Sequence, residues 1–137
     1  MTKSNKYFTG NKGRVWLNDV KYVDCYKAEM KRTNNYEEIP DPEGNGMEQV
    51  FMGFSIAGSI TIRKAGNVQI LEELKNDKNG ELEISMVIKE ENSTTGLIER
   101  VKYTGVTVDE FPLSQFEKRT VTEIELPLKA VDYEVLQ

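Results

Sequence analysis

Asp41, Glu43 and Asn45 stand at alternate positions and are followed by Gly46. That is the spacing of the first oxygen ligands and the turn glycine of a calcium loop. Such a loop also needs a bidentate acid at its twelfth position, and here that residue is Met52. Pro42 and the absence of flanking helical patterns count further against calcium. Paired carboxylates could serve glycoside hydrolysis, and Glu37-Glu38, Glu72-Glu73, Glu90-Glu91 and Glu123/Glu125 are the candidates. A chain with 23 acidic residues among 137 places such neighbours on its solvated surface without any catalytic reason. Histidine is absent, which excludes Ser-His-Asp and Cys-His catalysis and His-ligated metals. Cys25, the one cysteine, has no internal disulfide partner and no histidine base, so it is expected as a half-buried strand residue. No glycine-rich phosphate loop runs from a strand into a helix. Neither an enzyme, a cofactor nor a metal site is expected.

The elements that would carry these residues belong to one domain, 1–137, of 15.7 kDa. Hydrophobic residues make up 38% and charged residues 30%, the mark of a soluble chain on the polar side. A formal net charge of -5 speaks against general binding of a phosphate backbone, which calls for a basic surface. No apolar run reaches membrane-spanning length, and Met1 to Lys6 leads into no signal-peptide core, so synthesis and folding are expected in the cytoplasm, without membrane binding.

Residues 1–12 read as a polar arm. Val15-Trp16-Leu17 and Val20, Tyr22 and Val23 flank Asn18-Asp19, a turn-forming pair, which predicts a tight hairpin. Tyr26, Ala28 and Met30 alternate with Lys27, Glu29 and Lys31. Phe54, Ile56, Ile60 and Ile62 share one face of the clearest strand, with Ser55, Ala57, Ser59 and Thr61 on the other. A helix is predicted over Val68–Asn76, with Asn67 as N-cap and Asn79-Gly80 as its closing turn. Leu82 to Ile88 and Leu97 to Val108 form a pair of strands around the polar turn 90–96. The apolar phase slips at Gly105, which predicts a β-bulge there. Thr120 to Leu128 is a further strand, and Val131, Tyr133 and Val135 end the chain. The sum is mainly β: an antiparallel barrel or sandwich of about seven strands with one α-helix over one end.

Two features fit no ordinary fold requirement. The first is 34–53, read as a long inter-strand loop containing Asn34, Tyr36, Glu37, Glu38, Ile39, Asp41 and Glu43, then Met47, Val50, Phe51 and Met52. Ordering such a stretch costs about 1–2 kcal/mol per residue, more than its few apolar groups offset without a neighbour. The second is the small hydroxylated face Ser55, Ala57, Ser59 and Thr61, which carries no charge, unlike an ordinary solvent face.

The chain resembles tail tube proteins of contractile phage tails and R-type bacteriocins of Gram-positive bacteria. Matching stretches are Gly10 to Asp19, Ala28-Glu29-Met30, Met52-Gly53, Gly58 to Lys64, Glu99 to Val106 and Glu123 to Leu128. Asp19 stands where many members have glycine. The resemblance implies a tail tube-like barrel that forms hexameric rings stacked into an inner tube within a sheath. It implies sheath, baseplate and tape-measure proteins as partners, and DNA in the lumen only in a phage. Assembly would take place in the bacterial cytoplasm, and the product would be a virion tail or a released bacteriocin particle. On this resemblance Ser55, Ala57, Ser59 and Thr61 line the lumen, with Glu83 and Ser85 beside them. The helix lies on the outer or inter-subunit side, and 34–53 reaches an adjoining subunit. The alternative is a monomeric barrel that binds a small ligand or peptide, which would need a cavity faced by the Ser/Thr row.

Overall fold

The computed structural model describes Tyr7 and the ranges 13–92 and 94–136. The arm expected over 1–12 lies outside them, Tyr7 apart. Eight strands and one helix follow in the order β1 (Arg14–Leu17), β2 (Val20–Lys21), β3 (Cys25–Pro40), β4 (Met47–Arg63), α1 (Gln69–Asn76), β5 (Ile84–Asn92), β6 (Leu97–Val108), β7 (Glu123–Ala130) and β8 (Asp132–Leu136). Every pairing is antiparallel, in the order β2-β1-β5-β6-β7-β4-β3, with β8 also on β6. The expected mainly β class holds, while the sheet does not close into a barrel.

Asn18 and Asp19 both adopt positive φ, 49° and 68°, between paired Leu17 and Val20. Those are the angles of a type I′ hairpin turn, whose twist suits the flanking strands. Asp19 thus takes a conformation that glycine reaches without cost.

The predicted bulge at Gly105 turns the corner of the fold. Ile84 faces Val106 while Met86 faces Tyr103, so β6 carries one residue more than β5 across this step. Before the bulge, the far edge of β6 pairs with β8; after it, the same edge pairs with β7. The chain passes from β7 to β8 at Val131, whose amide donates to the Thr104 carbonyl at 3.0 Å. Gly105 has φ 62°, and a Cβ on it would come within 2.8 Å of the Val131 side chain. The bend therefore excludes a side chain twice over.

Two layers result, joined by the end of β6. Val15, Leu17, Ile84, Met86 and Val106 meet Ile60, Ile62, Ile124, Leu126 and Leu128 between them. Val68, Ile70, Leu71 and Leu74 pack against the same core. The helix begins at Gln69 with Val68 as N-cap, and no side chain of the flanking segment caps it. Asn67 does not perform that role. Instead the Tyr22 hydroxyl, reaching from beyond β2, accepts the Ile70 amide at 2.9 Å. Burial raises the Tyr22 pKa above its ordinary value, in keeping with a hydroxyl held against the core. Tyr22→Phe leaves that amide without its acceptor. The expected loss is about 1 kcal/mol, seen as a fall in Tm of roughly 3–5 °C by circular dichroism.

Candidate functional site

The segment 34–53 is not a loop. β3 and β4 pair from Cys25 with Ile62 out to Pro40 with Met47, and only 41–46 turn. A register shift lets Asn34 face Phe54 and Tyr36 face Phe51, with Gly53 at φ 114° in the longer strand. Beyond this bulge no other strand among the described residues joins the pair, because β7 meets β4 only from Ile56 to Arg63. The two strands leave the body as a long free hairpin.

Its tip is closed by the carboxylate that the calcium reading would have used. Asp41 Oδ1 accepts the Glu43 amide at 3.0 Å, and the Asp41 amide donates to the Gly46 carbonyl at 3.1 Å. This is an Asx-turn, the local use of an acid that competes with any ligand role. Met52, in β4, supplies no oxygen.

The hairpin's residues divide by register. Tyr36, Glu38, Met47 and Phe51 lie on one face, where Tyr36 and Phe51 meet edge to face at 5.8 Å and Gln49 donates to Glu38 at 2.8 Å. Glu37, Ile39, Glu48 and Val50 lie on the opposite face. All are exposed, among them Met52 at 60%, Tyr36 and Met47 at 54% and Phe51 at 48%. At the root, the Arg32 guanidinium lies 4.3 Å from the Phe54 ring centroid. It donates to the Tyr133 hydroxyl and to Asn34 Oδ1, each at 2.7 Å. A cation between aromatic faces is worth about 0.5–2 kcal/mol, so this cluster ties the hairpin's root to β8.

Ser55, Ala57, Ser59 and Thr61 occupy the face of β4 opposite the core, as their alternation requires; Ser55 and Ala57 are exposed, and Thr61 at the far end is buried. Their neighbours form ladders: Lys27–Thr61–Glu125, Glu29–Ser59–Pro127 and Lys31–Ala57–Lys129. The uncharged row is thus one strand wide, between charged strands of both signs. Part of that charge is paired, Lys31 with Glu29 at 3.0 Å and Lys129 with Asp109 at 3.4 Å. Near the end of the same face Tyr26 donates to Glu123 at 2.7 Å and Arg63 stacks on the Tyr26 ring at 4.2 Å. The bond to Glu123 is the main reason the Tyr26 pKa is raised.

Glu83 and Ser85 do not adjoin this row. Ser85 is in β5, and β6 and β7 intervene between β5 and β4. Both serve the β1–β2 turn, where Asn18 donates to the Glu83 carbonyl and accepts the Ser85 amide. Their alternation with apolar residues was visible; their place in the other layer was not. The core between the layers is filled, with Ile60, Met86 and Leu126 fully buried. The ligand-binding alternative required an interior cavity under the Ser/Thr row, and that row faces away from the interior.

The sequence pattern did not disclose a surface groove of about 480 Å³ where β1 and β5 approach the start of β3. Val15, Ile88, Cys25, Arg14, Lys27 and Lys89 are among its lining residues. Cys25 is half-buried as expected, and burial raises its thiol pKa above the ordinary value, which disfavours the nucleophilic thiolate.

A family model described as "Phage tail tube protein" matches residues 1–137. The chain belongs to that family. This makes it a tail-associated structural protein and shows the resemblance drawn from its motifs. No curated protein matches the sequence. Two solved structures share the tail tube-like fold. A chain of the anti-feeding prophage tube-terminating cap superimposes with a TM-score of 0.75 at 10% identity, over 99% of this chain and 95% of that one. A chain of the six-fold symmetrised anti-feeding prophage baseplate gives 0.68 at 10% identity, over 90% of each chain. No helix among the described residues is long and apolar enough to cross a membrane.

Proposed function

We propose that this tail tube family member is the inner-tube subunit of a contractile injection device. Copies assemble as hexameric rings, the rings stack within a sheath, and baseplate and tape-measure proteins bound the tube. The observation that carries this reading is the free hairpin 34–53, which presents Tyr36, Ile39, Met47, Val50, Phe51 and Met52 to solvent. Natural monomers avoid long unpartnered strand pairs with apolar side chains, because these invite association. The six-fold symmetry named for the baseplate neighbour supports the ring number. Ser55, Ala57, Ser59 and Thr61 then face the lumen, a lining of small side chains with charges of both signs alongside. Assembly takes place in the bacterial cytoplasm before incorporation into a virion tail or a released bacteriocin particle, and DNA traverses the lumen only in the former.

Sedimentation and electron microscopy of the purified chain, alone and co-expressed with its sheath protein, test the reading. Six-fold rings or tubes are expected. A strict monomer at high concentration, with or without sheath protein, overturns it.

A further inference from the structure

The charge of this chain is unevenly placed. Residues 34–53 contain five acids, Glu37, Glu38, Asp41, Glu43 and Glu48, and no lysine or arginine. The whole chain has 23 acidic and 18 basic residues; without the hairpin's five acids it has 18 of each. The net charge of -5 therefore resides on the free hairpin. A surface that receives it must supply positive charge, and beside that charge an apolar floor for Ile39 and Val50, which share a face with Glu37.

The groove between β1, β5 and β3 has this composition. Val23 and Ile88 contribute apolar surface, and Arg14, Lys27 and Lys89 face one acid, Glu90, among its lining residues. The groove and the hairpin tip lie at opposite ends of β3. That strand carries 16 residues, and at about 3.3 Å per residue its length is roughly 50 Å. While β3 stays paired with β4, a tip cannot enter the groove of its own chain.

We propose that the acidic hairpin tip of one copy seats in the groove containing Lys27 and Lys89 of a neighbouring copy. This rests on the self-assembly reading and names its contact. The contact is heterologous, since each copy offers one tip and one groove, so it closes into a ring or continues along an axis. Exposed opposite charges of this kind are screened over about 10 Å at 0.1 M salt and about 3 Å at 1 M. Assembly is therefore weakened by salt.

Charge reversal tests the pairing in the full-length chain. The groove variant is Lys27→Glu with Lys89→Glu, and the tip variant is Glu37→Lys with Glu43→Lys. Each is expected to raise the critical concentration for assembly at least tenfold while melting like the parent. The quadruple variant, with both signs reversed, is expected to assemble near the parental concentration. If the quadruple variant does not recover, the proposal is overturned. If the parent assembles and neither pair of reversals changes the threshold, the contact is wrong while self-assembly stands. A parent that never assembles removes both.

Discussion

Gly58→Ala is expected to abolish the folded protein or lower its Tm far more than any other single glycine-to-alanine change in β4. Gly58 pairs with Met30 on one side and Leu128 on the other, inside the body of the sheet. A Cβ at this position would overlap the Glu29 carbonyl oxygen and lie 2.7 Å from Met30 Cα. Both obstacles are backbone, so no side-chain rotation relieves them, and β3 would have to move away from β4. Overpacking of well-filled sites costs about 1–3 kcal/mol when neighbours can adjust. Here they cannot adjust without loss of ladder hydrogen bonds, so a cost above about 3 kcal/mol is expected, against a total stability of roughly 5–15 kcal/mol for a domain. Gly66→Ala is the control: nothing lies within 4 Å of its added Cβ. Thermal melts by circular dichroism separate the two. A Gly58→Ala protein that melts within about 2 °C of the parent would show that β3 does not approach this closely.

The legible parts of this fold were those whose sequence signal is local. Asn18-Asp19 specifies its turn through two residues that tolerate positive φ. Gly105 revealed its bulge because burial imposes a period of two on both sides and the phase jumps between them. Ile70, Leu71 and Leu74 marked a helix through one buried stripe. The hairpin 34–53 was misread for the complementary reason. With no side chain in its outer part buried, no burial alternation is imposed on it, and its strands are held by backbone pairing and cross-strand contacts such as Tyr36 with Phe51. Loop-like composition and strand structure coexist where a sheet has no core beneath it. Asn67 failed as a cap because the acceptor came from Tyr22, more than 40 residues earlier. Glu83 and Ser85 were grouped with the β4 row by residue type, whereas their layer is decided by strand order, which no single strand encodes. The ladder of charges beside Ser59 and Thr61 was hidden likewise, since it depends on which strands flank β4.

Replacing residues 35–53 by Asn-Gly should leave the domain folded and eliminate assembly. Asn34 and Phe54 face each other across β3 and β4, a separation that a two-residue type I′ turn closes. None of the buried hydrophobic residues lies between 34 and 53. Each fully buried aliphatic side chain contributes about 2 kcal/mol, so the stability of the body resides outside the excised segment. Arg32, Phe54 and Tyr133 all remain, and their cluster still anchors the shortened strands. The effect on association follows from a comparison of magnitudes. Six half-exposed apolar side chains, covered by a neighbour, would contribute on the order of 6 kcal/mol, half the value for full burial. Fixing one subunit against another costs about 4–15 kcal/mol. A single hairpin contact therefore comes close to breaking even, and only closed rings, in which every subunit both gives and receives a hairpin, are stable. Assembly of the parent should accordingly set in sharply above a threshold concentration rather than rise gradually through dimers. The shortened chain should sediment as a monomer at every concentration, with a Tm within a few degrees of the parent. Tubes of normal length from the shortened chain would show that the hairpin is dispensable and that the subunits are joined through other edges.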